Sequence, residues 1–169
     1  MKVLKFGGTS VANSKSLNKV LEIIKNQNDS IVVVVSALAG ITDLLMEMLS
    51  LAESRKDNFK SNLSKIEKLH LEPIKKCIPI QNQSAIISYL KKNLNELETR
   101  LDAIFLLEEV TKKNNASVAS YGEILSSNII HEIFRHNKID SELKDARELI
   151  QTSTHNGIEV VNEKITDQQ

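Results

Sequence analysis

Ile31-Val32-Val33-Val34-Val35 is an unbroken run of β-branched residues, and it limits the possible fold more than any other stretch of the chain. A strand with one wet face alternates apolar and polar residues. An unbroken run instead predicts a strand buried on both faces, and such strands belong to parallel sheets. Upstream, Val3-Leu4-Lys5-Phe6 is a second β-prone run, stopped by Gly7-Gly8. Between the two, Leu17, Val20, Leu21 and Ile24 recur at helical spacing and give one apolar face, with Asn13 or Ser14 as N-cap. Strand, helix and strand in this order predict a βαβ unit and an α/β fold.

The rest of the chain is mostly helical in pattern. A second helix is expected from about Thr42-Asp43, carrying Leu45, Met48, Leu49 and Ala52. From about residue 58 to 113 no strand is convincing. Leu63, Ile66 and Leu69 suggest a helix ended by Pro73 and Pro79. Leu90, Leu94, Leu97, Leu101 and Ile104 form a narrow stripe on a long helix. That stripe fits either a helical hairpin packed on its own domain or a coiled-coil seam to a second chain, with the hairpin favoured. Ala116 to Arg135 reads as another helix, Ile139 to Lys144 as a third strand, and Ile158 to Val161 as a fourth.

Composition narrows the function. Lys plus Arg and Asp plus Glu are equal at 22 each, and the chain has no Trp, so neither a nucleic-acid partner nor an anionic membrane is indicated. The longest apolar run is too short to span a bilayer, and the immediate entry into a strand leaves no room for a signal peptide. The single cysteine, Cys77, permits no internal disulfide and fits a cytoplasmic setting. His70, His131, His136 and Cys77 lack ligand spacing, so no metal site is assigned and each is expected at the surface or partly buried.

Only five glycines occur, at 7, 8, 40, 122 and 157, and they mark the chemistry. Gly7-Gly8 and Gly40 follow the first two strands, and the carboxyl ends of parallel strands are where open α/β sheets bind ligands. In Lys5-Phe6-Gly7-Gly8-Thr9-Ser10 the glycines let backbone N–H groups approach a phosphate, and Thr9 and Ser10 add hydroxyls. Lys5 adds a full positive charge, and the next helix adds its positive end. A tight turn with a solvated lysine is the competing reading. In Val35-Ser36-Ala37-Leu38-Ala39-Gly40-Ile41-Thr42-Asp43, Ser36 and Thr42 can hydrogen-bond a small polar ligand, and Thr42 can equally be a helix N-cap. In Ser120-Tyr121-Gly122-Glu123, Glu123 either points into a cleft, where it could bind an ammonium group, or lies on a helix surface.

These three segments, in this order, resemble the aspartokinase family, whose opening motif is Lys-Phe-Gly-Gly-Thr-Ser. Val11-Ala12-Asn13 and the helical stretch ending in Ala103-Ile104-Phe105-Leu106-Leu107 resemble the bifunctional aspartokinase/homoserine dehydrogenases in particular. The resemblance implies a partial three-layer αβα amino-acid-kinase fold, carbamate-kinase-like, with a mainly parallel sheet and a helical insertion at about 58–113. It implies transfer of the ATP γ-phosphoryl group to the β-carboxylate of L-aspartate, with Mg²⁺ bridging the phosphates, as the first step towards lysine, threonine and methionine. Lys5 would stabilise the transferring group, Gly7, Gly8, Thr9 and Ser10 would cradle ATP phosphates, and Ser36, Thr42 and Glu123 would bind aspartate. Asp145-Ala146-Arg147 resembles a segment near that site, with a loop salt bridge as its simpler role.

The family's Arg-Gly-Gly-Ser-Asp segment has no counterpart, since no Gly-Gly pair follows Gly8. A complete domain of this type would continue for roughly another hundred residues. The chain is therefore expected to be the N-terminal part of a kinase domain, inactive alone, with unpaired sheet edges that favour a homo-oligomer. The competing reading is a non-catalytic fragment or a helical dimerisation module.

Overall fold

The computed structural model describes residues 1–155 and 158–166. Strand β1 (Lys2–Phe6) leads through a 3-10 turn (Gly8–Ser10) into helix α1 (Ser14–Lys25) and then strand β2 (Ile31–Val35). The two strands pair in parallel, Lys2 opposite Ile31 through Phe6 opposite Val35. This is the expected βαβ unit. Asn13 caps α1, its side chain accepting from the Ser16 N–H at 3.0 Å.

Four helices follow: α2 (Ile41–Glu53), α3 (Phe59–Cys77), α4 (Ser84–Leu107) and α5 (Lys112–His136). Helix α2 is the centre of the core and touches α3, α4 and α5; its Ile41, Leu45, Met48 and Ala52 are fully buried. The Leu90–Ile104 stripe of α4 is buried within the chain's own core. It is the packed face of a helical hairpin and is not available as a coiled-coil seam, which removes the dimerisation-module reading of that stripe.

Three further expectations are corrected. Helix α3 runs through Pro73, which is buried inside it, and ends four residues later. The proline's missing N–H and ring clash cost about 3 kcal/mol in a helix interior, and burial of Phe59, Ile66, Pro73 and Ile74 along the same helix offsets that. Pro79 does end the segment, by holding the preceding Ile78 in an extended conformation at φ −115° and ψ 133°. Leu69 faces outwards, and His70 takes the inward position instead.

No strand forms at Ile139–Lys144. That stretch is irregular, and Lys138 turns it with a φ of 59°. A strand needs a partner ladder, and none lies alongside among the described residues. The strand that does form, β3 (Thr152–His155), follows a short helix α6 (Ala146–Leu149). It pairs antiparallel with β4 (Ile158–Val161), the anticipated fourth strand, before a last turn of helix α7 (Glu163–Thr166). Gly157 and residues 167–169 lie outside the described residues.

The β1–β2 sheet is covered on one face only. Leu4, Ile31, Val33 and Val35 pack on the helical core with Phe6, while Val3, Val32 and Val34 on the opposite face are 64%, 42% and 42% exposed. The unbroken valine run therefore has one bare face, and the helical core lies on the other.

Candidate phosphate and substrate site

The end of β1 is fixed to the end of β2, since the Ser36 N–H donates to the Phe6 carbonyl at 3.1 Å. Gly7 is extended, with φ −74° and ψ 169°, and opens the 3-10 turn. The turn closes when Ser10 N–H donates to the Gly7 carbonyl at 2.9 Å and Val11 N–H to the Gly8 carbonyl at 3.3 Å. The N–H groups of Gly7, Gly8 and Thr9 meet no acceptor among the described residues. Unbonded amides at the end of a strand are available to hydrogen-bond an anion. Lys5 is exposed on the bare sheet face beside them and joins no ion pair among the described residues.

Gly8 is required by contact rather than by dihedral angle. A Cβ there would sit 2.9 Å from the Ala37 carbonyl oxygen and 3.4 Å from the Ala39 nitrogen. Gly122 is similar: inside α5, its Cβ would lie 2.7 Å from the Ala37 Cβ. Its neighbour Glu123 is exposed, and its Oε1 accepts the Ala37 N–H at 3.4 Å. The three segments singled out in the sequence thus meet around one residue, Ala37, at the carboxyl end of β2.

Thr42 is not the cap of α2. Gly40 holds that position in the left-handed region at φ 78°, and Thr42 lies one residue inside the helix, exposed. Its hydroxyl is left free for a ligand among the described residues. Ser36 is half-buried at the same strand end.

Sequence reasoning missed Ser126. It is fully buried on α5, and its hydroxyl donates to the Ser36 carbonyl at 2.8 Å, with the Glu123 carbonyl at 3.2 Å. It fixes the backbone of Ser36 and Glu123 at once. No spacing in the sequence signals it, since its partner Ser36 lies 90 residues away.

One reading changes. The first N–H of α1, that of Ser14, is not open to a phosphate, because Glu72 of α3 binds it at 2.8 Å. Asp145 and Arg147 form a loop salt bridge at 2.6 Å, with Asp145 also capping α6. The Arg147 guanidinium holds the Asp145 carboxyl below its usual range. Cys77 is half-buried, and burial followed by the charge of Glu72 pushes its thiol up, so it is not an activated nucleophile. Two shallow surface depressions, one along Lys91 and Asn95 and one around His131 and Arg135, lie on other faces. The candidate site is an open strand-end crevice rather than an enclosed pocket.

The sequence profile described as the amino acid kinase family matches residues 1–168. The chain belongs to that family. Its relatives are aspartokinases. It is 30% identical over 149 residues to the chloroplastic bifunctional aspartokinase/homoserine dehydrogenase 1 of Arabidopsis thaliana, an alignment covering 88% of this chain and 16% of that one. It is 33% identical over 152 residues to the aspartokinase of Chlamydia muridarum, covering 90% and 31%. Among solved structures, E. coli aspartokinase III with lysine and aspartate superposes with a TM-score of 0.87 at 24% identity, over 99% of this chain and 36% of that one. The same enzyme with aspartate and ADP superposes at 0.86. This amino acid kinase chain thus shares the aspartokinase fold and spans a minority of the length of each of these relatives. No helix of the described residues is long and apolar enough to cross a membrane.

Proposed function

We propose that this chain carries the phosphate-binding and aspartate-binding part of an aspartate kinase. The observation that carries the reading is the meeting of Gly8, Gly122 and Glu123 on Ala37, next to three amides and a lysine that have no partner among the described residues. The reaction is ATP plus L-aspartate giving aspartyl β-phosphate and ADP. Gly7, Gly8, Thr9 and Ser10 donate to the ATP phosphates. Lys5 neutralises charge that builds on the transferring oxygens, the part of phosphoryl transfer a protein can assist most. Ser36 and Thr42 hydrogen-bond aspartate, and Glu123 faces its α-ammonium group. The names of the relatives support this choice, as does the aspartate and ADP bound by the E. coli enzyme.

The described residues bring no set of three His, Cys, Asp or Glu side chains together. They do not form a protein cage for Mg²⁺, which would enter with the nucleotide phosphates. The lone cysteine favours a cytoplasmic setting, and the bare valines of the sheet favour self-association. Replacing Val32 and Val34 with lysine is expected to shift light scattering of the chain from oligomer to monomer; a wild-type monomer at high concentration removes the oligomer reading.

Calorimetric titration tests the main reading. The chain is expected to bind ATP, and Lys5→Ala to weaken that binding at least about tenfold. Aspartyl-hydroxamate formation by the chain alone is expected to be absent. A chain that binds neither ATP nor aspartate overturns the site, and clear turnover overturns its description as part of a site.

A further inference from the structure

The turn from Gly7 to Asn13 is held at both ends, and one end is held from a distance. At its start, Phe6 is locked by the Ser36 N–H. At its end, the Ser14 N–H donates to Glu72 Oε2 at 2.8 Å and the Ser14 hydroxyl donates to Glu72 Oε1 at 2.6 Å. Glu72 is on α3, 58 residues further along the chain. Both of its oxygens are therefore committed to one residue, through two charge-assisted hydrogen bonds of the short, strong kind. Between the two anchors Val11 is fully buried, so the turn has a lock at each end and a plug in between.

This arrangement also decides where an anion can sit. A helix N-terminus ordinarily attracts phosphate. Here the first amide of α1 is already bound by a carboxylate, and the Ser16 amide is taken by the Asn13 side chain at 3.0 Å. A phosphate at that helix end would meet a like charge. Among the described residues the amides of Gly7, Gly8 and Thr9, earlier in the chain, meet no acceptor and have no carboxylate bound at them.

We propose that Glu72 is a positioning residue for the phosphate turn: it ties the end of the turn to α3 and keeps the helix end closed to the nucleotide, so that the phosphates are directed to Gly7–Thr9. The proposal rests on the phosphate-binding reading of Lys5–Ser10. It also gives the helical insertion a task beyond core packing, because α3 reaches the end of the turn through the Glu72 side chain.

Amide hydrogen exchange and ATP titration of the whole chain separate this role from simple helix capping. Asn13→Ala is the control, since it removes the other cap of the same helix without touching α3. Glu72→Ala is expected to speed exchange at Ser10 and Val11, the two hydrogen-bonded amides of the turn, at least about tenfold, and to weaken ATP binding at least about fivefold. Asn13→Ala is expected to leave Ser10 and Val11 protected and ATP affinity within about twofold. Glu72→Gln, which keeps the shape and loses the charge, is expected to fall between, and it carries the test should Glu72→Ala not fold. Unchanged exchange at Ser10 and Val11 in the Glu72 variants overturns the proposal, as does an equal effect from Asn13→Ala. If the wild-type chain binds no ATP, the phosphate reading fails, while the exchange data still report whether Glu72 holds the turn.

Discussion

Lowering the pH from 6.5 to 4 is expected to remove roughly 3 kcal/mol of stability through one side chain, His70. This residue is fully buried in α3, and its Nδ1 lies 2.8 Å from the Ile66 carbonyl. That contact assigns the proton to Nδ1, leaving Nε2 as a bare acceptor with no partner among the described residues. Burial lowers its pKa from 6.5 to about 4, against a smaller opposing effect of the Ile66 bond. In the unfolded chain the imidazole takes up a proton near pH 6.5, whereas in the folded chain it stays neutral until about pH 4. Across that window the unfolded state binds more protons, so the contribution is complete above pH 6.5 and is lost as the pH falls. Denaturant unfolding at pH 7, 5.5 and 4.5, for wild type and for His70→Leu, checks this. The variant should lose the part of the slope that His70 supplies, while the carboxylate contribution common to both remains. Parallel curves would show that the imidazole is not held neutral.

Gly122→Val is expected to cost about 3 kcal/mol and Gly122→Ala about 1 kcal/mol, both as losses. Helix propensity alone predicts the opposite sign for alanine, since replacing glycine within a helix gains about 1 kcal/mol. Space decides against it. The new Cβ would lie 2.7 Å from the Ala37 Cβ, a stub that cannot rotate away, and 3.6 Å from Ile41 and Leu45 side-chain atoms. The added methyls of valine have nowhere to go in a core where Ile41 and Leu45 are fully buried. Relief must come from moving Ala37, which is also the residue against which Gly8 packs and whose N–H reaches Glu123. Loss of stability and loss of ligand affinity should therefore appear together. Chemical denaturation gives the first and ATP titration the second. Combining Gly122→Ala with Ala37→Gly should recover part of the loss, because contacting residues couple. An alanine variant more stable than wild type would mean that the two segments do not touch.

The parts of the site legible in the sequence were those whose cause is local. Glycines after a strand, hydroxyls before a helix, and a glutamate beside a helical glycine each carry their meaning within a few residues, and all three segments meet in the fold. What stayed hidden depends on distant partners. Ser126 acts on Ser36, 90 residues away, and Glu72 acts on Ser14, 58 away, and no periodicity encodes either link. The same holds for the errors of fold. Pro73 reads as a stop because its cost is local, whereas the burial that offsets it is tertiary. The alternation at Ile139–Lys144 reads as a strand, although a strand exists only beside a partner. The valine run gave the sheet and its direction correctly, yet its bare face depends on where the helices lie.

The Ser14–Glu72 link has a consequence for the order in which the molecule forms. The βαβ unit and the helical hairpins can each develop from near neighbours in the chain, and such local structure forms early. The link closes a loop of 58 residues and needs α3 already docked on α1. A refolding chain should regain its helical signal first and its grip on triphosphate later. Time, rather than sequence position, would then separate the folded scaffold from the working turn.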